Sequence, residues 1–395
     1  MTAANAHVSL IEDGLLQRNR VSETFFSREA GRLAAACREM SERFLRGGRL
    51  LAFGRGAYVT DAQHVSVEFV HPVIVGKRAL PALDLSLEFA RWVPAIARPD
   101  DIAMGFGPPE GDVAISRLLR ELHPAGIQTF ALPGSEGSYA VESPSSDPFI
   151  HQEIIEVLYH TLWETVHVFF EHRELGHQVG EAGFLYPFLG AEKQDTSGIL
   201  SQVASSIQAK AADDERLREQ VARDQSERIA HAALAIHDRL HAGGKLIMFG
   251  NGGSATDAND WALDCAVPPK SYRPVPAVSL SMEPANLSAI ANDVGTEVMF
   301  LRQLIAQARP EDVAVGLSTS GGSANIIAAL EEARRRGLLT VALLGYDGGE
   351  VVRRGLADFP LVVFSDYIPR IQEVQASIYH VLRDTMEVIA RGHRS

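Results

Sequence analysis

The chain contains one long segment twice. Residues 43–72, RFLRGGRLLAFGRGAYVTDAQHVSVEFVHP, align without a gap on residues 239–268, RLHAGGKLIMFGNGGSATDANDWALDCAVP. Both carry Gly-Gly before an apolar run, Phe-Gly at its end, and Thr-Asp-Ala opening the next segment. Matches continue in order. Leu80-Pro81-Ala82 faces Val275-Pro276-Ala277, and Pro99-Asp100-Asp101 faces Pro310-Glu311-Asp312. Thr129-Phe130-Ala131-Leu132 faces Thr340-Val341-Ala342-Leu343, and Gln152-Glu153 with His160 faces Gln372-Glu373 with His380. The offset grows from 196 to 220, so the first copy is the shorter. A repeat of this length is a whole domain, not a solenoid unit. It divides the chain into 1–189 and 190–395, with the polar stretch 190–198 as linker.

Each copy reads alike. An amphipathic helix (28–46; 223–241) leads into a short apolar strand (49–53; 245–249), then a glycine-containing loop and another helix. Further strands are expected at 102–105 and 128–132, and at 313–317 and 339–344, with a long closing helix at 150–170 and at 371–391. Near-continuous apolar strands between helical periods imply parallel sheet covered on both faces. The fold class is therefore α/β: two tandem, doubly wound, three-layer αβα sandwiches.

Net charge is −13, which argues against nucleic-acid or anionic-membrane binding, because backbone phosphates demand a basic surface. No apolar run approaches the roughly 18 residues of a membrane span, and the first residues lack a signal-peptide pattern. The two cysteines, Cys37 and Cys265, fit a reducing compartment, so a cytoplasmic location is expected.

Two loops of the second copy fit an anion. Phe249-Gly250-Asn251-Gly252-Gly253-Ser254 lies between a strand and a helix, where backbone N–H groups approach a phosphate. Alone it also satisfies a loose G-x-G-x-x-A dinucleotide pattern through Gly250, Gly252 and Ala255. Ser318-Thr319-Ser320-Gly321-Gly322-Ser323 decides between the readings. Four hydroxyls and two glycines at a helix start surround one phosphate, whereas simple N-capping needs one hydroxyl.

GNGGSATDA, NDVG at 292–295, STSGGSANI, the GYDGG turn at 345–349 and RIQEVQASIYH together resemble the sugar isomerase (SIS) family, and within it the phosphoheptose isomerases. That resemblance implies a phosphate held by Ser318, Thr319, Ser320 and Ser323. It places Asn251, Gly252, Gly253, Ser254, Asp293 and Gln372 around the sugar. The first copy departs from the pattern. Its loop Gly107-Pro108-Pro109-Glu110-Gly111 loses donors to proline and adds a repelling carboxylate.

The same resemblance implies a divalent metal, usually zinc, bound by His64, Glu68, Gln152 and His160, all present in the first copy. Spacing i,i+4 puts His64 and Glu68 on one helix face, and imidazole with carboxylate suits zinc. The second copy keeps Gln372 and His380 but has Asp260 and Asp264 where His and Glu would stand.

The expectation is an aldose–ketose isomerase of the sedoheptulose 7-phosphate type, working through an enediol, with its functional groups divided between the copies. Glu68 serves as base and His160 as its acid–base partner. Asp264 and His380 are the rival pair if the second copy works alone. The alternatives are a non-catalytic sugar-phosphate-binding regulator or scaffold, and different metal-dependent chemistry on a phosphorylated substrate. The family habit implies a homodimer that reproduces a four-domain array.

Overall fold

The computed structural model describes residues 3–73, 77–174 and 196–392. In chain order the first copy runs α1 (Ala3–Leu45), β1 (Leu50–Gly54), α2 (Val59–Val70), β2 (Ala82–Asp84), α3 (Phe89–Ile96), β3 (Ile102–Phe106), α4 (Val113–Leu122), β4 (Gln128–Leu132), β5 (Tyr139–Ala140) and α5 (Pro148–Glu174). The second runs α6 (Thr196–His241), β6 (Leu246–Phe249), α7 (Gly253–Ala266), β7 (Ala277–Ser279), α8 (Pro284–Asp293), α9 (Met299–Gln307), β8 (Val313–Ser318), α10 (Ala324–Arg335), β9 (Leu339–Gly345), α11 (Gly349–Arg353), β10 (Phe359–Val363) and α12 (Ile368–Gly392).

The two sheets are all parallel and share one topology. Their orders are β2-β1-β3-β4-β5 and β10-β9-β8-β6-β7, the same sequence of crossovers read from opposite edges. This doubly wound order has a switch point between β1 and β3, and between β6 and β8, where successive crossovers leave in opposite directions. The loops after β6 and β8 flank that point, and both are loops that the sequence marks for phosphate. Buried strand residues explain the absence of alternation: β1, β3, β4, β8 and β9 are buried at every position. Each sheet is covered on both faces, as near-continuous apolar runs require.

The leading helices are longer than their amphipathic cores. The expected helices at 28–46 and 223–241 extend back to Ala3 and Thr196. Of the expected linker at 190–198, residues 196–198 open α6, and 190–195 lie outside the described residues. The compact units also cut across the repeat boundary at 189/190. One comprises residues 1–19 with 214–395, the other residues 20–213. Packing within each unit gives the reason. Ile11 and Leu15 of α1 are buried in one core with Leu217, Val221 and Val381. Val203, Ile207 and Ala211 of α6 are buried with Leu158, Leu162 and Phe170. In the same units the Asn19 amide donates to the Glu215 carbonyl at 2.9 Å, and Lys210 pairs with Glu164. Each unit thus keeps a sheet from one copy and takes the first part of the other copy's leading helix. Low polarity contrast along those helix starts hides this from the sequence.

Candidate active site

In the second copy the serine loop leaves the end of β8 and enters α10. Ser323 occupies the N-cap position with extended backbone, yet its hydroxyl makes no capping bond. It stands 3.5 Å from the Ser318 hydroxyl instead. The first N–H groups of a helix lack intrahelical partners, so this terminus keeps donors and positive partial charge for an anion. Two more hydroxyls are preset. The Gly321 N–H donates to Ser318 Oγ at 3.1 Å, and the Gly322 N–H donates to Ser320 Oγ at 3.2 Å. A hydroxyl that accepts from the backbone retains its own proton to donate. Gly321 has φ +60°, and a Cβ there would stand 2.2 Å from the Gly348 carbonyl oxygen. Glycine is required at this position both for the left-handed backbone and for that approach.

Asn251 and Asn325 exchange two amide hydrogen bonds, of 2.9 and 3.0 Å, and so tie the glycine loop after β6 to the first turn of α10. Gly252, with φ +56°, and Gly253 lead into α7, and Ser254 is buried in its first turn. Asp293 is placed differently. It is exposed at the end of α8, where it accepts from the Asn292 amide at 2.8 Å. No described hydrogen bond joins it to the serine loop.

The acid–base residues of this copy cluster between α7 and α12. His380 Nε2 lies 3.0 Å from Asp264 Oδ2 and 3.6 Å from Asp260 Oδ2, and the Tyr379 hydroxyl donates to Asp260 Oδ2 at 2.8 Å. Asp264 is fully buried. Burial, with the Asp260 charge beside it, pushes its carboxyl up to about 7 despite the nearby His380 and Arg383. A group tuned to that range takes and returns protons near neutral pH. Gln372 lies two turns before His380 on the same helix, buried, with no partner for Oε1 among the described residues.

In the first copy α2 and α5 supply a different cluster. His64 Nε2 stands 3.2 Å from His160 Nε2 and 4.0 Å from Glu68 Oε1. One ligand atom from each of these three residues lies within 4.8 Å of the others. Two atoms bound to a tetrahedral zinc at ~2.0–2.1 Å stand ~3.3 Å apart, so the two imidazole nitrogens already have the edge length of such a site. Glu156 Oε1 lies 4.0 Å from His64 Nδ1, beyond hydrogen-bond distance. The donor set therefore fits zinc. Gln152 sits two turns before His160, and its amide donates to Asp61 at 3.1 Å and Thr60 at 3.3 Å.

The first copy's phosphate loop is closed by chemistry. Asp112 caps α4, accepting from the Ala114 and Ile115 N–H groups at 2.8 and 3.0 Å, and Arg55 pairs with it at 3.3 Å. Buried His151 reaches the Gly107 carbonyl at 3.0 Å and the Ser143 hydroxyl at 2.9 Å. Burial pushes its imidazole down to about 4. His167, near the end of α5, bonds the Trp163 and Arg78 carbonyls. Of its sequence neighbours, His177 and the side chain of His172 lie outside the described residues.

Sequence reasoning missed four residues. Glu156 stands one turn before His160 and Asn325 two after Ser323, so spacing alone was available for both. Tyr379 and Asp112 become visible only through their partners.

A parallel β2-β1-β3-type sandwich with a hydroxyl-lined helix start at its switch point is the architecture of a SIS domain, and the family profile of that description matches residues 211–345. Among curated relatives, phosphoheptose isomerase of Chlorobaculum tepidum is 43% identical over 176 residues, which is 44% of this chain and 83% of that protein. The phosphoheptose isomerase of Pelobacter propionicus is 40% identical over 190 residues, 48% of this chain and 97% of that protein. The chain belongs to the phosphoheptose isomerase family of SIS-domain proteins. Among solved structures, the C-terminal domain of glucosamine-fructose-6-phosphate aminotransferase from Francisella tularensis shares the fold. It aligns over 98% of this chain and 96% of its own, with TM-score 0.61 and 9% identity. Tagatose-6-phosphate ketose/aldose isomerase from Escherichia coli aligns over 98% and 94%, with TM-score 0.51 and 14% identity. No helix among the described residues is long and apolar enough to cross a membrane.

Proposed function

We propose that the chain is a phosphosugar aldose–ketose isomerase of the sedoheptulose 7-phosphate type, and that its activity requires both the serine cradle of the second copy and the His64–Glu68–His160 set of the first. The observation that carries this reading is the open N-terminus of α10. Three preset hydroxyls surround it, no capping side chain fills it, and the equivalent terminus in the first copy is capped. Ser318, Thr319, Ser320 and Ser323 bind the phosphate, and the bound phosphate holds the carbon chain in register for proton transfer.

Isomerisation removes the proton next to a carbonyl, gives an enediol, and returns a proton to the neighbouring carbon. Glu68 takes the carbon-bound proton, and His160 moves protons between the two oxygens. His64, Glu68 and His160 would hold a zinc ion, with Gln152 as the fourth ligand the family resemblance implies, and zinc bound there would supply stabilisation of the developing oxyanion. Asp264 and His380, 3.0 Å apart, are the second acid–base pair and perform the same transfers without metal if the second copy acts alone.

The test is isomerisation of sedoheptulose 7-phosphate by the purified full chain, with and without chelator. Turnover that His64→Ala and Ser320→Ala each abolish supports the joint requirement. Turnover lost only with Ser320→Ala assigns catalysis to the second copy. The non-catalytic reading draws on the closed α4 terminus, and tight phosphosugar binding with no turnover of any five- to seven-carbon phosphosugar would establish it. We further propose a cytoplasmic homodimer, checked by light scattering.

A further inference from the structure

The two copies differ at the opposite end of the second sheet. There a cavity of about 220 Å³ is lined by His237, His241, Arg273, Arg383 and Glu387, among others. Its residues end α6, precede β7 and close α12, so they sit at the strand starts. The serine loop follows a strand end. A four-residue strand spans ~13 Å, so this cavity is separate from the serine cradle.

Register between the copies explains why the cavity exists. At the repeat's offsets, Phe44, Phe69 and Phe170 of the first copy become Leu240, Cys265 and Ala390 in the second. In the first copy Phe44 stacks on Phe69 with centroids 5.6 Å apart, and Phe170 lies 6.5 Å from Phe44. Three rings fill that space. In the second copy the space is open, and its walls change from Ser41, Leu45 and Trp163 to His237, His241 and Arg383.

The charges are arranged to leave one cation unspent. Arg383 is fully buried and held by the Arg273 carbonyl at 2.7 Å, the Asp264 carbonyl at 3.3 Å and Glu387 at 3.5 Å. Glu387 also accepts from Arg391 at 2.9 Å and from the Arg273 N–H at 3.2 Å, so its charge is answered on three sides. Asp238, beside His237 at 3.6 Å, is exposed. The Arg273 guanidinium has no ion-pair partner among the described residues, and its Nη2 is buried without a hydrogen bond. A buried unsatisfied charge-bearing donor is costly unless a ligand answers it.

We propose that this cavity binds a small oxyanion of the phosphate-monoester class, through Arg273 with His237 and His241, as a second anion site distinct from the serine cradle. The volume lies below the ~300–1,000 Å³ of pockets for drug-sized ligands, which favours a compact anion over a nucleotide. Arginine presents a planar fork of donors that matches phosphate oxygens.

Inorganic phosphate is the probe, titrated calorimetrically into the full chain carrying Ser318→Ala and Ser320→Ala, which silence the cradle. One phosphate per chain is expected to remain. Its affinity should fall at least ~10-fold with Arg273→Ala, the size of effect that loss of one good charge-assisted contact gives. Ala390→Phe, which restores the ring of the first copy, should also remove it. Arg273→Lys keeps the charge without the fork and should weaken binding less than alanine does, and circular dichroism confirms that each variant is folded. No residual binding in the cradle-silenced chain overturns the proposal. So does residual binding that neither Arg273→Ala nor Ala390→Phe changes.

Discussion

The α4 and α10 helices start at equivalent places in equivalent sheets, and they treat their first turns in opposite ways. In α4 the Asp112 carboxylate takes two backbone N–H groups, and Arg55 answers the carboxylate. In α10 the N-cap Ser323 leaves the turn open, and Ser318 and Ser320 are oriented by glycine N–H groups instead. A carboxylate cap satisfies a helix permanently. A hydroxyl-lined open terminus waits for a ligand. The difference teaches where each copy's selection lies. The first copy spends its switch point on stability and keeps histidines and a glutamate on α2 and α5. The second keeps its switch point free.

The largest test of this comparison is catalytic. If Glu68 is the base, Glu68→Gln should lower kcat for sedoheptulose 7-phosphate by ~10²–10⁴-fold with little change in KM. Asp264→Asn should then cost much less. The reverse ranking would move the chemistry to the second copy. Removal of metal by chelator should match the Glu68→Gln loss and be restored by zinc, measured in the same assay.

The sequence carries the fold at the level of copies and strands. β4 is expected and found at 128–132, the other five expected strands shift by a residue at their ends, and the outer strands β2, β5, β7 and β10 were not expected. The repeat and the unbroken apolar runs explain this success, because buried parallel strands advertise themselves. The serine loop was legible from its own composition and His64 with Glu68 from i,i+4 spacing, whereas joining His160, 96 residues from His64, to them rested on the family resemblance. The exchange of α1 and α6 starts was not legible. Nothing in local spacing says which sheet a helix will cover, and Ile11 or Ile207 reads equally well in either core. Asp112 was hidden for a related reason. Glu110 and the prolines drew the argument for a lost phosphate loop, whereas the residue that closes it is a cap two positions on.

That exchange gives the next test. Ile207→Ala removes a fully buried side chain from the core around α5, and Leu15→Ala removes one from the core around α12. Each should destabilise by ~2–5 kcal/mol, read by chemical denaturation. Native-state hydrogen exchange should assign the loss to residues 20–213 for Ile207→Ala and to residues 1–19 and 214–395 for Leu15→Ala. Losses assigned by sequence copy instead would break the division.

A smaller effect tests the two helix starts directly. Asp112→Ala should cost ~0.5–2 kcal/mol, the usual worth of an N-cap, whereas Ser323→Ala, whose hydroxyl makes no cap, should cost almost nothing in the absence of ligand. Added phosphate should raise the melting temperature of the parent chain more than that of Ser323→Ala. Equal stability losses for the two variants would mean that Ser323 caps its helix after all.

The subtlest contrast lies in pH. His151 is buried with its imidazole pushed down to about 4 from the usual 6.5, so between those values the unfolded chain binds more protons than the folded one. Its contribution to stability is present above pH ~6.5 and is lost as pH falls toward 4. Asp264 has the opposite sign. Burial raises its carboxyl from 3.8 to about 7, so the folded chain holds a proton that the unfolded chain releases. Stability from this group is present below pH ~3.8 and is lost as pH rises through 7. Each group contributes a slope of at most ~1.4 kcal/mol per pH unit, which denaturation curves resolve. His151→Gln should therefore leave the fall from Asp264 between pH 4 and 7 uncompensated, and Asp264→Asn should leave the rise from His151 between pH 4 and 6.5 uncompensated. Over that range the two contributions oppose each other, because one group gains what the other loses. A variant curve parallel to the parent's over its range would mean that the substituted group does not titrate as its burial dictates.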